Sequence, residues 1–397
     1  MKILNLPIKI KAGLFILALL CTGLLSAWKF TLPKNSEPYW PVSSANKEGV
    51  DQVVLDEIHA DIQAGDYGLI DHFLLIRNGK IIADHSYEQD YKSIAKNYDT
   101  TNHMYNYDHP DWHPFYQGTK LHSLQSVTKS ITSAALGIAI DKGHLSGVNI
   151  KIADLFKDYK FDSDDPRMMQ MKLEDLLTMQ AGIKWDEASY DEADNSCVLM
   201  EASEDWIQFV FDQGMDMEPG KQFEYNSGAS VLIGKVIHLV TGKYADEWAE
   251  EKLFKPLGIE NYYWKKTPLG EIDTEGGLYL SSHDLAKIGY LFLHKGKWEG
   301  KQIISEDWIE KSISAIIPDL SPPGDGREPG YGYQWWVPEH KGGKTKIFAG
   351  NGYGGQFVLV APEYDMLAVF NGWHIHGNPE KFTWNVLMQK ILPASKL

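Results

Sequence analysis

The sequence predicts an α+β fold in which an antiparallel sheet, flanked by helices, carries an inserted all-α subdomain. Strand patterns lie near both ends of the chain, at residues 73–83 and again between 331 and 371. The stretch from about 150 to 270 has the apolar spacing of helices instead. We therefore expect the sheet to be built from about 55–150 and 270–395, with the helical subdomain at about 150–270.

The first strands form a predicted hairpin. Two apolar runs between Phe73 and Ala83 meet at Asn78-Gly79, a dipeptide that accepts the positive φ angles of a tight turn. A helix is expected from Ser126 to Lys142, because apolar residues between 131 and 139 recur at helical spacing. The later elements are expected as strands at 331–337, 345–348, 356–361 and 366–371, and a closing helix at about 382–391.

The N-terminal residues have the pattern of an export signal. Lysines stand at positions 2, 9 and 11, and the run 12–28 carries no charge. This run is short for a bilayer span, which needs about 20 apolar residues. We expect residues 1–28 to be a signal peptide cleaved near Ala27 or a retained membrane anchor. Either case places the protein in the bacterial periplasm or on the membrane facing it. Residues 29–54 are expected to be a linker and 55–395 the catalytic domain.

The composition excludes several classes of protein. The chain is 43% hydrophobic, which is enough apolar material for a core and excludes global disorder. Its net charge of -16 repels phosphate backbones, so no nucleic-acid partner is expected. Of its two cysteines, Cys21 lies in the N-terminal run, so cleavage would leave Cys197 without a disulfide partner. Cys197 stands in a polar stretch and is interpreted as a small semi-buried residue rather than a nucleophile.

Ser126 is the predicted nucleophile, with Lys129 as its base. Ser-x-x-Lys occurs four times, at Ser26, Ser44, Ser93 and Ser126, and only Ser126 opens a long apolar helix. Residues three apart share a helix face, so Lys129 can reach the Ser126 hydroxyl. Free amides and the positive dipole at a helix start stabilise an oxyanion. Burial disfavours an ammonium, so we expect Lys129 to be neutral enough to accept a proton.

A second proton carrier is predicted at Tyr225. It lies two residues before Ser227, at the start of an apolar helix. A tyrosine beside a lysine can carry protons to a leaving group. We expect Ser227 to support the site through a hydrogen bond to Lys129.

The segment Gly350–Gly355 contains four glycines between two strand patterns. Glycines let a backbone pass close to a ligand, so an amide here is a candidate second oxyanion donor. We place that donor at Gly352, with Asn351 as a supporting residue. No Gly-Lys-Ser/Thr follows and no helix begins, so the segment is not a phosphate loop.

The order Ser-x-x-Lys, Tyr-x-Ser and glycine-rich strand resembles the serine β-lactamase-related family over about residues 55–395. This family includes class C β-lactamases, family VIII-type esterases, D-amino peptidases and aminohexanoate-dimer hydrolases. Supporting phrases are Leu176–Gly182, Gly276–Ala286 and Tyr331–Trp335. The resemblance implies a β-lactamase/transpeptidase-like fold with the site between the sheet and the helical subdomain.

By position, the resemblance implies that Ser126 is acylated, that Lys129 is its base and that Tyr225 is the second general acid/base. It also implies that the amides of Ser126 and Gly352 form the oxyanion hole. The sequence departs from the family pattern at two positions, and both departures narrow the class of substrate that we expect. The tyrosine motif ends in Ser227 rather than Asn, as in aminohexanoate-dimer hydrolases. Ala349 stands where many members carry a cation that holds a substrate carboxylate.

We therefore expect a hydrolase for esters or small linear amides, without a metal or organic cofactor. One alternative is a peptidoglycan-directed D-amino peptidase or penicillin-binding enzyme. Another is a binding or sensing module that keeps the fold without turnover. Trp335 and Tyr353 are candidates for lining an apolar substrate pocket. Three histidines and two aspartates in the loop 103–113 lack the helical His-x-x-x-His spacing of a zinc site, so a wall of the cleft is the favoured interpretation.

Overall fold

An eight-stranded antiparallel sheet joins the two ends of the chain. The computed structural model describes residues 39–87, 89–90, 93–94, 119–161, 165–187, 194–318, 320, 329–340, 345–373 and 383–396. The sheet strands are β1 (Ile70–Arg77), β2 (Lys80–Ser86), β8 (Pro329–Tyr331), β9 (Trp336–His340), β10 (Thr345–Lys346), β11 (Phe348–Gly352), β12 (Gln356–Ala361) and β13 (Met366–Gly372). Their order is β10-β9-β11-β12-β13-β1-β2, with β8 beside β9.

The central pairing of this sheet connects β1 with β13. Phe73 lies opposite Phe370, and the two rings stack with centroids 4.7 Å apart. The β1–β2 hairpin turns at Asn78 and Gly79, whose φ angles are 51° and 65°. The sheet is thus built from both ends of the chain, and the predicted fold class is confirmed.

The helices lie mainly between the two sets of sheet strands. They are α1 (Gln52–Ala64), α2 (Val127–Asp141), α3 (Ile152–Leu155), α4 (Leu173–Leu177), α5 (Ser196–Ala202), α6 (Trp206–Asp212), α7 (Ser227–Thr241), α8 (Ala245–Ala249), α9 (Ser282–Leu293), α10 (Glu306–Ser312) and α11 (Thr383–Asn385). Short 3₁₀ turns cover Ala45–Glu48, Met168–Gln170, Lys255–Leu257 and Pro362–Tyr364, and π-helical turns cover Glu250–Phe254 and Val386–Ile391.

Two apolar cores cover the two faces of the sheet. Alternate residues of a strand point to opposite faces, so Leu74 and Ile76 join the core that contains α2, whereas Phe73 and Leu75 join the core that contains α1. Helix α2 is the central element of the first core. All thirteen residues from 127 to 139 are buried, which holds the first turn of α2 rigidly under the sheet.

Part of the predicted linker 29–54 is ordered structure, which corrects that expectation for residues 40–54. Trp40 is buried against Tyr290, and the Ser43 amide donates to the Ile81 carbonyl at 2.8 Å. The packing of the Trp40 ring and the hydrogen bond to the edge strand β2 hold residues 40–54 in place, although the Pro and Ser content of this segment is typical of loops. The predicted signal segment 1–28 and the loop 103–113 lie outside the described residues. Among the helices that the structure describes, none combines the length and apolar character needed to cross a bilayer.

Small strands that the sequence analysis did not predict also contribute. Strands β3 (His122–Ser123), β4 (Tyr263–Trp264) and β5 (Leu278–Leu280) form a second sheet in the order β3-β5-β4. Strands β6 (Lys297–Trp298) and β7 (Lys301–Gln302) form a separate pair. The β3–β5 pairing brings residues just before α2 next to residues just after Glu275.

Gln334, in the turn between β8 and β9, forms hydrogen bonds to three different helices. Its backbone has a positive φ of 64°, and its carbonyl accepts from the Ser130 hydroxyl of α2 at 2.6 Å. Its side-chain oxygen accepts from the Ser230 hydroxyl of α7 at 2.7 Å. Its amide nitrogen donates to the carbonyls of Leu176 and Leu177, each at 3.1 Å. The backbone carbonyl and the side-chain amide of this one buried residue therefore fix the positions of α2, α4 and α7 relative to each other.

We predict that Gln334→Leu lowers the free energy of unfolding by about 2–4 kcal/mol, because it leaves the buried Ser230 hydroxyl without its acceptor and removes one donor each from the Leu176 and Leu177 carbonyls. Chemical denaturation measures the change. The control is Gln63→Leu, an exposed position on α1 that should change stability by less than about 0.5 kcal/mol. Equal effects of the two substitutions would contradict this role of Gln334.

Candidate active site

A strained turn presents Ser126 at the start of α2. Gln125 has a φ of 47°, which is unusual for a residue with a side chain. The amides of Val127 and Thr128 donate to the carbonyls of Leu124 and Gln125, so the turn is tightly closed. The Ser126 side chain makes no capping hydrogen bond to its own helix. Its hydroxyl is therefore not used as an ordinary helix cap.

Lys129 lies one turn further along α2 and contacts the Ser126 hydroxyl. The lysine is 1% exposed, and its Nζ donates to Ser126 Oγ at 2.9 Å. It also donates to the backbone carbonyl of Glu275 at 2.9 Å and to Glu275 Oε2 at 3.0 Å. The predicted contact between Ser126 and Lys129 is present, and the buried carboxylate beside it was not predicted.

The electrostatics around Lys129 bear on the expectation of a neutral base. Burial alone would lower the pKa of Lys129 because it penalises the ammonium. The Tyr225 phenol in its ionised form and the carboxylates of Glu275 and Glu187 act against burial and raise this pKa well above its ordinary value. The expectation considered the lysine alone, whereas the structure buries it with Glu275 Oε2 at 3.0 Å, and the role of Lys129 as the base stays a prediction.

Tyr225 stands beside both residues. Its ring lies 5.2 Å from Lys129 Nζ and stacks on Trp336, with centroids 6.0 Å apart and an angle of 18°. Its hydroxyl shares a hydrogen bond with Ser126. Burial is the main cause that raises the pKa of Tyr225, although Lys129 acts in the opposite direction. The phenol is therefore neutral near pH 7, in contact with the Ser126 hydroxyl.

Ser227 faces a different partner from the one expected. Its hydroxyl donates to Glu187 Oε1 at 2.6 Å, and its amide donates to Glu187 Oε2 at 2.8 Å. Trp185 Nε1 also donates to Glu187 Oε2, at 2.7 Å. The expected hydrogen bond from Ser227 to Lys129 is not among those of the described residues. Glu187 takes that place, so Ser227 supports the start of α7 rather than the lysine.

Strand β11 passes directly over the Ser126 turn. A Cβ atom added to Gly352 would lie 2.4 Å from the Leu124 carbonyl oxygen, and one added to Gly350 would lie 2.9 Å from a Val127 methyl carbon. Only glycine permits so close an approach. Asn351, between them, is half-buried and pairs through its backbone with Phe357. The strand therefore meets the first turn of α2 without intervening side chains.

The two aromatic residues predicted to bind substrate, Trp335 and Tyr353, lie in different environments. Trp335 is fully buried between Phe292 and Phe348, so it belongs to the core and the expectation that it binds substrate is wrong. Its neighbour Trp336 is half-buried and stacks on Tyr225. Tyr353 is exposed in the turn after Gly352, and its role in substrate binding stays a prediction.

A buried acidic group lies behind the lysine. One ligand atom each from Cys197, Glu201 and Glu275 falls within 4.8 Å of the others. Burial is the main cause that raises the pKa of the Cys197 thiol well above its ordinary value, which disfavours the thiolate that binds metals. One carboxylate of this group, that of Glu275, already pairs with Lys129.

Glu187 and Glu275 are the site residues that sequence reasoning missed. Glu275 stands immediately before the Gly276–Ala286 phrase that marked the resemblance, and Glu187 follows the Leu176–Gly182 phrase by five residues. Because both residues lie beside sequence segments that support the family resemblance, their positions could have marked them as candidates.

Comparison with known proteins shows the family to which the chain belongs. A sequence profile of the family described as Beta-lactamase matches residues 72–384. The 6-aminohexanoate-dimer hydrolase of Paenarthrobacter ureafaciens is 23% identical over 299 residues, which cover 68% of this chain and 70% of that protein.

Two solved structures share the fold. A family VIII carboxylesterase has a TM-score of 0.61 at 15% identity and covers 90% of this chain and 100% of its own. An octameric penicillin-binding protein homologue from Pyrococcus abyssi has a TM-score of 0.61 at 18% identity, covering 84% of this chain and 76% of its own. With the profile match over well over half its length, this chain belongs to the beta-lactamase family of serine hydrolases.

Proposed function

We propose that this enzyme cleaves esters or small linear amides through an acyl-enzyme intermediate formed on Ser126. The observation that carries the proposal is the contact between Lys129 Nζ and Ser126 Oγ at 2.9 Å, with Tyr225 on the same hydroxyl. A serine that contacts two proton-carrying groups at a helix start has the arrangement of an activated nucleophile. Trp336 fixes the Tyr225 ring, which supports a role that depends on orientation.

The oxyanion would be held by two amides. The Ser126 amide lies at the start of α2, where backbone N–H groups and the helix dipole favour negative charge. The Gly352 amide belongs to the strand that passes over the same turn. Pre-positioned donors on opposite sides of a carbonyl oxygen stabilise the tetrahedral intermediate.

The charges around the site favour a substrate without a carboxylate. The charged residues that act on Tyr225 are Lys129, Glu187 and Glu275, one cation against two carboxylates. Ala349 of β11 stands where many members of the family carry a cation, and it is fully buried. An additional carboxylate on the substrate would therefore meet net negative charge. The name of one similar protein, a family VIII carboxylesterase, supports esters as the substrate class.

Ser126→Ala is expected to lower kcat/KM for a short-chain nitrophenyl ester by at least about 10³-fold, because the acyl-enzyme cannot form. The matched control is Ser44→Ala, which removes the serine of another Ser-x-x-Lys from an exposed site and should leave the rate unchanged. Both melting temperatures should stay close to that of the wild type. Full activity in the Ser126 variant would disprove the assignment of the nucleophile.

Gly352→Ala is expected to lower kcat by about 10²–10³-fold, the loss typical of a removed oxyanion donor. The new methyl group would collide with the Leu124 carbonyl and displace the strand amide. Steady-state kinetics with the same ester test this, and a thermal melt shows whether the fold is kept. A folded variant with unchanged kcat would exclude the β11 amide from the reaction.

A substrate panel tests the charge argument. We expect kcat/KM for a neutral nitrophenyl ester or linear amide to exceed that for a chromogenic cephalosporin by at least about 100-fold, the cost of roughly 3 kcal/mol for an uncompensated carboxylate. D-amino peptides and fluorescent penicillin belong in the same panel. Turnover of the cephalosporin at the ester's rate, or stable labelling by penicillin with no ester turnover, would favour the penicillin-binding alternative.

A further inference from the structure

A buried glutamine lies next to the strand that carries the proposed second oxyanion donor. Gln356 is the first residue of β12, it pairs through its backbone with Gly352 of β11, and it is 2% exposed. We propose that Gln356 is a positioning residue that holds the Gly352 amide where the oxyanion forms. This inference rests on the proposed function, because the oxyanion hole belongs to that same reaction.

The place of Gln356 in the sheet does not require a polar side chain. Val358 and Val360 follow it on the same face of β12 and pack in the core that contains α2. On β13, Asn371 shares a face with Val369, which lies opposite Val358 and packs in the same core. Packing alone would therefore favour apolar residues at both positions. A buried amide is costly unless it is hydrogen-bonded, so the bonds that these side chains make are the reason for their presence.

The Gln356 amide uses both its oxygen and its nitrogen twice. The oxygen accepts from Asn371 Nδ2 at 3.1 Å and from the Gly372 backbone amide at 3.3 Å. The nitrogen donates to the Gly372 carbonyl and, at 3.4 Å, to the Tyr353 carbonyl. A side-chain amide offers two donors and two lone pairs, so this one is held in a single orientation. It thereby joins the turn that follows Gly352 to the end of β13.

The same chain of hydrogen bonds continues to helix α9. Asn371 is fully buried, and its side-chain oxygen accepts from the Ser282 hydroxyl at 2.6 Å. Ser282 is the first residue of α9, which packs against β12 and β13. A buried polar network whose members all have partners is rigid. Gln356 is therefore anchored on a strand and a helix, and both belong to the core.

The turn between β11 and β12 needs such an anchor because it is built from glycines. Gly354 and Gly355 have φ angles of 81° and 95°. Glycine restricts its own backbone less than any other residue, so the turn alone would leave the Gly352 amide loosely oriented. Gln356 restrains the turn through its bond to the Tyr353 carbonyl and its pairing with Gly352. This restraint matters because a shift of about 1 Å in a catalytic group can lower a rate by about 10²-fold.

The test is Gln356→Met, which keeps the length of the side chain and removes its hydrogen bonds. We expect kcat for the short-chain nitrophenyl ester to fall by about 10–100-fold, because the Gly352 amide is displaced but not removed. Acylation and deacylation both pass through an oxyanion, so both should slow together. KM should therefore stay within about threefold of the wild-type value, the pattern of an interaction made only in the transition state. Steady-state kinetics measure both constants.

Two further variants keep the test independent of stability. Ile391→Ala leaves a cavity in the core on the α1 face of the sheet, so it should lower the melting temperature and leave kcat and KM unchanged. Asn371→Leu removes one donor from the Gln356 oxygen and keeps Gln356 itself. It should lower kcat by about 3–10-fold, the value of a single hydrogen bond, again without a matching change of KM.

The proposal would be overturned by a folded Gln356→Met enzyme with wild-type kcat, or by one in which only KM rises. A loss of kcat in Ile391→Ala as large as in Gln356→Met would also overturn it, because lost stability would then explain the rate. If Gln356→Met does not fold, wild-type kcat in Asn371→Leu decides against the proposal.

Failure of the proposed function has a different signature. If Gly352→Ala is slow and Gln356→Met is normal, only the positioning role of Gln356 fails. If a folded Gly352→Ala enzyme keeps its kcat, the β11 amide itself has no part in the reaction. Activity in Ser126→Ala would remove the nucleophile and with it the whole reaction.

Discussion

The contact on which the site depends is a buried ammonium held between a serine hydroxyl and a carboxylate. Lys129 lies at 1% exposure in the most buried helix described, and a lone charge there would cost several kcal/mol. Glu275 offsets that cost by direct contact at 3.0 Å. Around this pair, burial keeps Tyr225 neutral against the effect of the cation, and Ser227 pairs with a second carboxylate, that of Glu187. The proposed preference for a substrate without a carboxylate rests on the same charges.

The fold keeps this contact in register by joining segments that are distant in sequence. Glu275 lies just before β5, and β5 pairs with β3 just before the Ser126 turn, so one small sheet brings Glu275 and Ser126 close together. On the other side, Gln334 ties α2 to α7 and thereby fixes the distance from Lys129 to Tyr225. Strand β11 then closes the site, because glycines at 350 and 352 let its backbone touch α2. Rigid elements therefore set the geometry that catalysis needs.

The features that could be predicted from the sequence are those that depend on local contacts or on periodic patterns. The Ser126–Lys129 contact follows from helix spacing, and the two-ended sheet follows from the strand patterns. The acidic partner could not be predicted this way, since Glu275 lies 146 residues beyond Lys129 and no spacing rule joins them. The expectation of a neutral base had the same limit, because it considered burial without the partner. Trp335 and Trp336 show another limit: neighbouring strand residues face opposite sides, and only packing decides which side faces the site.

The proposed reaction places one further demand on these groups. Its second half, deacylation, would need a water molecule to lose a proton as it attacks the acyl-enzyme carbonyl, and the Ser126 oxygen would have to regain one. Lys129 Nζ and the Tyr225 hydroxyl both adjoin Ser126 Oγ, so the groups proposed to carry protons in the first half stand where the second half would need them. Because Lys129 is already held by Glu275, the proposed reaction could complete both halves without moving a buried charged side chain.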